Sequence, residues 1–216
     1  MSLDLFHAQE IVCGQVEDWA ISQGYASFVG LDEAGRGPLA GPVVAAAVSL
    51  PAGAIEGLND SKLLDEKTRL RLYDHVLSRC HAFGIAAVCA REIDETNILI
   101  ASLKAMGLAW HKAVARQGHL ERALVFVDGK QRATLPSHVE QRPIVKGDAR
   151  STNIAAASIL AKVTRDRMMV EAHASWPQYG FAQHKGYPTL AHREAIAKHG
   201  PCPIHRLSFR MLPEAK

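Results

Sequence analysis

Residues 27–50 read SFVGLDEAGRGPLAGPVVAAAVSL. An apolar run opening at Ser27 stops on two adjacent acids, Asp32 and Glu33; a glycine-flanked arginine then turns the chain, and a second, almost wholly apolar run lies between Pro42 and Pro51. Short apolar runs bounded by Gly and Pro predict strands, here Ser27 to Asp32 and Val43 to Leu50, the second apolar enough to sit inside a sheet. Acids at a strand end are also what a solvated turn looks like, so Asp32 and Glu33 alone decide nothing.

Downstream, Asp65 to Cys80 predicts an amphipathic helix with Leu70, Tyr73, Val76 and Leu77 at helical spacing and Asp65 as cap. His81 to Ala90 predicts a third strand. Asp94 to Gln117 predicts one helix whose Leu99, Leu103, Met106, Trp110 and Val114 share a core face. Two short β-rich runs, Ala123 to Asp128 and Arg142 to Lys146, each lead to a carboxylate, Asp128 and Asp148. Ser151 to about Ala174 predicts a long helix, capped among Ser151, Thr152 and Asn153, with Ala155, Ala156, Ala157, Ser158 and Ala161 small enough for close packing on a sheet. Trp176 to Pro188 is expected as a loop and Thr189 to Lys198 as a last helix. Strands alternating with helices imply an α/β fold, a mixed β-sheet flanked by helices with a small helical C-terminal part. The expected organisation is one domain, 1–216, with a helical and loop segment over about 173–216 covering the cleft.

The chain has 216 residues, 48% hydrophobic and 22% charged, ample for one globular core. The N-terminal residues lack a basic segment followed by an apolar run, so a cytoplasmic address is expected. The longest uncharged stretch, Gly37 to Ile55, is broken by Pro38, Pro42 and Pro51, which excludes it as a membrane helix. Four cysteines show no zinc-site spacing and are expected as reduced structural thiols, and His184, His192, His199 and His205 are too widely spaced to suggest a local metal site. Net charge is only +3, but from Lys130 onward 14 Lys and Arg face six Asp and Glu, against 11 and 16 before it. A basic C-terminal part suits a polyanionic partner, although an ordinary solvated surface gives the same count.

If the strands ending in Asp32–Glu33, Asp128 and Asp148 are neighbours, four carboxylates converge. Each pair at ~4 Å repels by roughly 4 kcal/mol at an effective dielectric near 20. Divalent cations would remove that penalty, and hard oxygen ligands without Cys or His select Mg²⁺ or Mn²⁺. Two such ions about 3.5–4 Å apart activate a water and stabilise the leaving oxygen of an in-line phosphoryl displacement without a side-chain nucleophile. No GxSxG, P-loop or GxGxxG motif offers another chemistry.

Taken together, FVGLDEAGRGPLAGPVVAAAV, NDSKLL, VFVDG, KGDARSTNIAAASILAKVTRD and YGFAQHKGYPTLAH resemble bacterial ribonuclease HII, over residues 28 to 210. The resemblance implies a ribonuclease H-like fold. It also implies an endonuclease that hydrolyses the RNA strand of RNA/DNA hybrids and cuts 5′ to single ribonucleotides in duplex DNA, leaving 5′-phosphates by two-metal catalysis. Its four metal-binding, catalytic carboxylates fall on Asp32, Glu33, Asp128 and Asp148. Its GRG segment, whose backbone meets the nucleotide at the RNA-to-DNA junction, falls on Gly35, Arg36 and Gly37, and its junction-sensing tyrosine on Tyr187. An intact GRG favours the HII type over HIII. Lys62 and Lys162 are candidate phosphate contacts, with a surface lysine and an ion pair to Asp166 as the plainer readings. Arg210 to Lys216 carry no clear sliding-clamp motif. A junction resolvase of the same fold would share the acids but not the GRG and Tyr187. A non-catalytic RNA-binding module would need none of the acids, and one cleavage assay with Mg²⁺ and a labelled hybrid separates it.

Overall fold

β1 runs from Phe28 to Ala34, so Asp32 and Glu33 lie inside the strand and not at its end. The strand continues because Asp32 pairs in register with Ala46 and Glu33 with Ala45 of β2 (Val43–Ser49), whose small side chains leave room beside them. The computed structural model describes residues 12–51, 53, 55, 57–58 and 64–212. β1 is also parallel to β4 (Leu124–Asp128), β2 is antiparallel to β3 (Ala82–Val88), and β4 is parallel to β5 (Gln141–Ile144). The sheet order is β3-β2-β1-β4-β5. β5 is therefore an edge strand, where Pro143 removes no interior ladder bond.

Helices cover both faces. α4 (Ile98–Arg116) lies on β2 and β3, burying Ala105, Met106, Ala109 and Trp110 in a core shared with Val29, Leu31, Val125 and Val127. α5 (Thr152–Ser175) lies on β1 and β2 across the other face, and α2 (Glu66–Arg79) packs on α5. Its Ala155, Ala156, Ala157 and Ala161 are fully buried, and a Cβ on Gly30 would stand 2.2 Å from the carbonyl carbon of Asn153. Helix and strand backbones thus touch, which no larger side chain at either surface would allow. Leu72 and Val76 carry α2's buried face, each contributing about 1.5–3 kcal/mol of burial. Leu70, expected there, is 38% exposed. α1 (Gln15–Ser22), not expected from the sequence, closes a smaller core of Val16, Ala20, Phe126 and Ile154.

The stretch expected as one helix from Asp94 is two. α3 (Ala90–Glu95) ends where Thr96 donates its hydroxyl to the Glu92 carbonyl at 2.8 Å, and Asn97 restarts the chain by accepting the Ile100 N–H at 3.0 Å. Thr and Asn compete with helical backbone bonds in this way. α4 is long and apolar enough to cross a membrane by composition, but that apolar side is spent on the sheet. Leu99, at its start, is 37% exposed and outside the core. The expected caps hold: Asp65 accepts from Thr68 N–H at 2.7 Å, and Ser151 Oγ from Ile154 N–H at 3.1 Å.

The expected loop at Trp176 to Pro188 contains a 3-10 turn (Pro177–Tyr179) and α6 (Phe181–His184), and α7 follows at Leu190–His199. Their core, Tyr179, Phe181, Ile196 and Cys202, rests on Met169 of α5 and on Leu39 and Ala40 beyond the GRG turn. All four cysteines are free.

Candidate active site

Asp32 and Asp128 stand on adjacent parallel strands, on the face covered by α5. Asp32 is 4% exposed; its Oδ1 accepts the Glu33 N–H at 2.7 Å, and Ser158 of α5 hydrogen-bonds its carboxylate. Burial, then the charges of Asp128 and Glu33, push the Asp32 carboxyl well above the usual carboxylate range, with a smaller push from Asp148 and an opposing pull from Ser158. Asp128 Oδ1 accepts the Gly147 N–H at 2.8 Å. That bond ties β4 to the segment carrying Asp148, which does not end a strand: β5 stops at Ile144, Lys146 turns the chain at φ 56°, and Asp148 sits buried in a 3-10 turn, Gly147–Ala149. The chain's reversal after β5 is what brings Asp148 back toward Asp32.

The structure thus brings Asp32, Glu33, Asp128 and Asp148 into one electrostatic group. Among the described residues, no three His, Cys, Asp or Glu side chains close a coordination shell as they stand. Three of the acids have local partners instead: Ser158 for Asp32, the Gly147 N–H for Asp128, and for Glu33 the Arg36 guanidinium at 3.3 Å, whose half-exposed side chain keeps the pair worth under about 1 kcal/mol. The donor set is all hard oxygen, and a buried carboxyl held above its usual range by like charges is what a divalent cation would relieve. The residues fit such an ion.

The cleft beside them, about 320 Å³, is lined by Glu33, Gly35, Arg36, Gly37, Asp128, Ser158, Lys162 and Tyr187. Lys162 pairs with Asp166 at 2.8 Å and also holds its Nζ 5.7 Å from the Tyr187 ring, so the ion pair and the cleft position coexist. Tyr187 is 40% exposed. Lys62 lies outside the described residues.

Sequence reasoning missed what holds this cleft in shape. Arg165 and Arg206, both fully buried, donate to carbonyls only: Arg165 to Pro42, Ala40 and Lys185 at 3.0–3.1 Å, Arg206 to Gly41, Arg36 and Gly35 at 2.6–3.1 Å. A signal existed for one of them. Ser158, Lys162, Arg165 and Met169 follow at spacings of 4, 3 and 4 on α5, a stripe facing the cleft and its supporting loop.

The two GRG glycines differ in their reason. Gly35 has φ +100°, and a Cβ there would stand 2.1 Å from Arg165 Nε; Gly37 would meet only Tyr187 Cε1, at 3.9 Å. Gly35→Ala is expected to cost about 1–3 kcal/mol and lower the melting temperature by roughly 3–10 °C, while Gly37→Ala leaves it within ~2 °C but narrows the gap to Tyr187 and slows cleavage. Thermal melting of both variants checks this, and equal melting of the two would refute it.

The sequence profile of the family described as Ribonuclease HII matches residues 29–212. The Ribonuclease HII of Geotalea daltonii is 47% identical over 214 residues, covering 99% of this chain and 96% of the relative. The chain belongs to the ribonuclease HII family. Among solved structures, ribonuclease H2 from Pyrococcus horikoshii OT3 superposes with a TM-score of 0.64 at 25% identity, covering 86% of this chain and 95% of that one. Bst-RNase HIII in complex with Mn²⁺ superposes at 0.69 with 16% identity, covering 87% and 68%, a likeness of fold alone. The enzyme is a ribonuclease H with a ribonuclease H-like mixed sheet, acting on RNA/DNA hybrids.

Proposed function

We propose that this enzyme also incises duplex DNA 5′ to single embedded ribonucleotides, with Asp32, Glu33, Asp128 and Asp148 holding two divalent cations, Mg²⁺ or Mn²⁺. The observation that carries this reading is the juxtaposition of four acids, one of them buried among the others' charges, with the GRG turn and an exposed tyrosine in one cleft. Bound cations supply an activated water and stabilise the leaving 3′-oxygen. The chain's own residues do the rest. Ser158 and the Glu33 N–H orient Asp32, and Gly147 orients Asp128. The backbone of Gly35 to Gly37, open on the Tyr187 side, meets the sugar, whose 2′-hydroxyl is the one feature that separates a ribonucleotide from its neighbours. Lys162 and Arg36, each in a pair at the cleft, offer phosphate contacts as those pairs open. The neighbour solved with Mn²⁺ supports the metal class.

The test is a labelled duplex with one ribonucleotide and the same duplex without it, given to chelated enzyme. Mg²⁺ or Mn²⁺ is expected to restore a single cut 5′ to the ribonucleotide, whereas Ca²⁺ supports binding with little turnover because its looser shell misplaces the reacting oxygens. Binding should weaken with salt at a log–log slope of about −0.9 per phosphate contact. Strong cleavage with Ca²⁺ alone, or equal cleavage of both duplexes, would sink the proposal.

A further inference from the structure

His184, His192, His199 and His205 are spaced 8, 7 and 6 residues apart, and three of them meet. His192, on the first turn of α7, and His205, beyond it, are buried, with their Nε2 atoms 3.1 Å apart. His184 of α6 stacks on His192 at a ring separation of 4.4 Å.

The partners dictate every proton. The Tyr187 carbonyl, 2.9 Å from His192 Nδ1, can only accept, so His192 carries its hydrogen on Nδ1. His192 Nε2 is then bare and must accept from His205 Nε2–H. That leaves His205 Nδ1 bare, as the Cys202 N–H donating to it at 2.9 Å requires. His184 obeys the same logic: Gly186 N–H donates to its Nδ1 at 3.1 Å, and its Nε2–H donates to the Tyr179 carbonyl at 2.6 Å. A one-directional chain runs from the Cys202 amide through two neutral imidazoles to the backbone of Tyr187.

We infer that His192, fixed in one tautomer by His205, is a positioning residue for Tyr187, holding that ring opposite Gly37 so that the cleft discriminates a ribonucleotide at the junction. Tyr187 also has backbone bonds, its N–H donating to the His184 carbonyl at 2.9 Å and its carbonyl accepting the Thr189 N–H at 2.8 Å, while at its flanks Arg165 holds the Lys185 carbonyl and Leu39 N–H donates to the Gly186 carbonyl at 2.8 Å. His192 alone holds the carbonyl of Tyr187 from a side chain among the described residues. Gly186 and Thr189 then connect the held residue to α6 and α7.

A proton added to either imidazole would set hydrogen against hydrogen. The titratable and charged groups facing the pair are His184 of α6, Tyr179 of the 3-10 turn and Cys202 of the C-terminal segment, with Lys185 and His173 of α5 acting on His184. None is a carboxylate; the backbone bonds of His192 to Tyr187 and Gly186 favour imidazolium, but burial outweighs them. Burial, with the neighbouring histidines, pushes His192 down to about 4, and burial lowers His205 and His184 as well.

This assignment rests on the proposed reading of Tyr187 as the junction-contacting ring, and Tyr187→Ala is the control for that reading. His192→Phe keeps the bulk and loses the donor, whereas His192→Asn places an amide N–H near the Nδ1 position. His192→Phe is expected to lower kcat/KM on the single-ribonucleotide duplex by about tenfold or more, chiefly in kcat, with affinity for the all-DNA duplex within ~2-fold. His192→Asn should recover most of that loss. Nitrogen-15 NMR of the wild-type protein should show His192 neutral, protonated on Nδ1, down to pH 5. Three results overturn the assignment: a proton on Nε2 or titration near the ordinary histidine value; unchanged single-ribonucleotide cleavage in His192→Phe; or equal losses on single-ribonucleotide and long-hybrid substrates in both variants, which marks a merely structural role. If Tyr187→Ala itself leaves single-ribonucleotide cleavage intact, the reading of Tyr187 falls and the assignment with it. Loss with Tyr187→Ala but not with His192→Phe removes the assignment alone.

Discussion

Asp32→Asn is expected to lower kcat on a hybrid by ~10³-fold or more and, in chelator at neutral pH, to raise the melting temperature. The two effects share one cause. Asp32 is buried with three acids near it, and the energy that raises its carboxyl above the usual range is energy the metal-free fold spends whenever that carboxylate ionises. A group whose folded pKa lies above its unfolded value contributes stability that is fully present below the unfolded value, near 4, and is lost as pH rises through the folded one. Metal-free wild type should therefore lose stability from about pH 4 upward, and Asp32→Asn should lose less of it. Asparagine keeps an oxygen for the Glu33 N–H and for Ser158, so the hydrogen bonds survive while the repulsion goes. A gain of 1–3 kcal/mol would raise the midpoint by roughly 2–10 °C at pH 8. Millimolar Mg²⁺ should reverse the order, because only wild type keeps the full ligand set. Melting from pH 4 to 8, with and without Mg²⁺, decides it: a variant that melts below wild type in chelator at pH 8, or one that cuts at near wild-type rate, contradicts the clustered-carboxylate reading.

How far this site was legible depends on the range of the interaction. Asp32 and Glu33 stood out because an apolar strand is interrupted by charge, a local pattern. That they lie within β1 was hidden, since it depends on Ala45 and Ala46 of β2 being small. Asp148 was found but misplaced: Lys146, at φ 56°, makes a turn that its residue type does not advertise. Thr96 and Asn97 divide a stretch whose apolar spacing reads through them, because capping competes with periodicity over a single turn. The histidine chain and the buried arginines were out of reach for another reason. Arg165 and Arg206 find acceptors more than 120 positions away along the chain, apart from the Lys185 carbonyl, and His192 and His205 are joined by a fold-back of α7. Local periodicity carries no record of such partners.

Arg206→Met should be the most damaging single change outside the acids. Its guanidinium is fully buried and spans three carbonyls, Gly41 at 3.0 Å, Arg36 at 3.1 Å and Gly35 at 2.6 Å. Burial first, then the charge of Arg165, push it down to about 9, still protonated at neutral pH, with Asp94 pulling the other way. Methionine would fill much of the space and relieve the repulsion from Arg165, but two carbonyls of the GRG turn, Gly35 and Arg36, and that of Gly41 just beyond it would lose their donor. Each orphaned acceptor costs about 1–3 kcal/mol, less where water can enter, so a net loss of roughly 3–5 kcal/mol and a fall of ~6–20 °C are expected. Lysine keeps the charge as a point donor without the planar fork, and Arg206→Lys should fall between Met and wild type. The turn should then lose its register against Tyr187, and a displacement near 1 Å there slows cleavage by ~10²-fold. Melting and single-ribonucleotide cleavage at 15 °C, where Arg206→Met is still folded, separate the two consequences. If Arg206→Met melts within ~2 °C of wild type, the buried fork is not what holds the turn. If it unfolds early yet cleaves at the wild-type rate when folded, Arg165 alone suffices to set the GRG geometry.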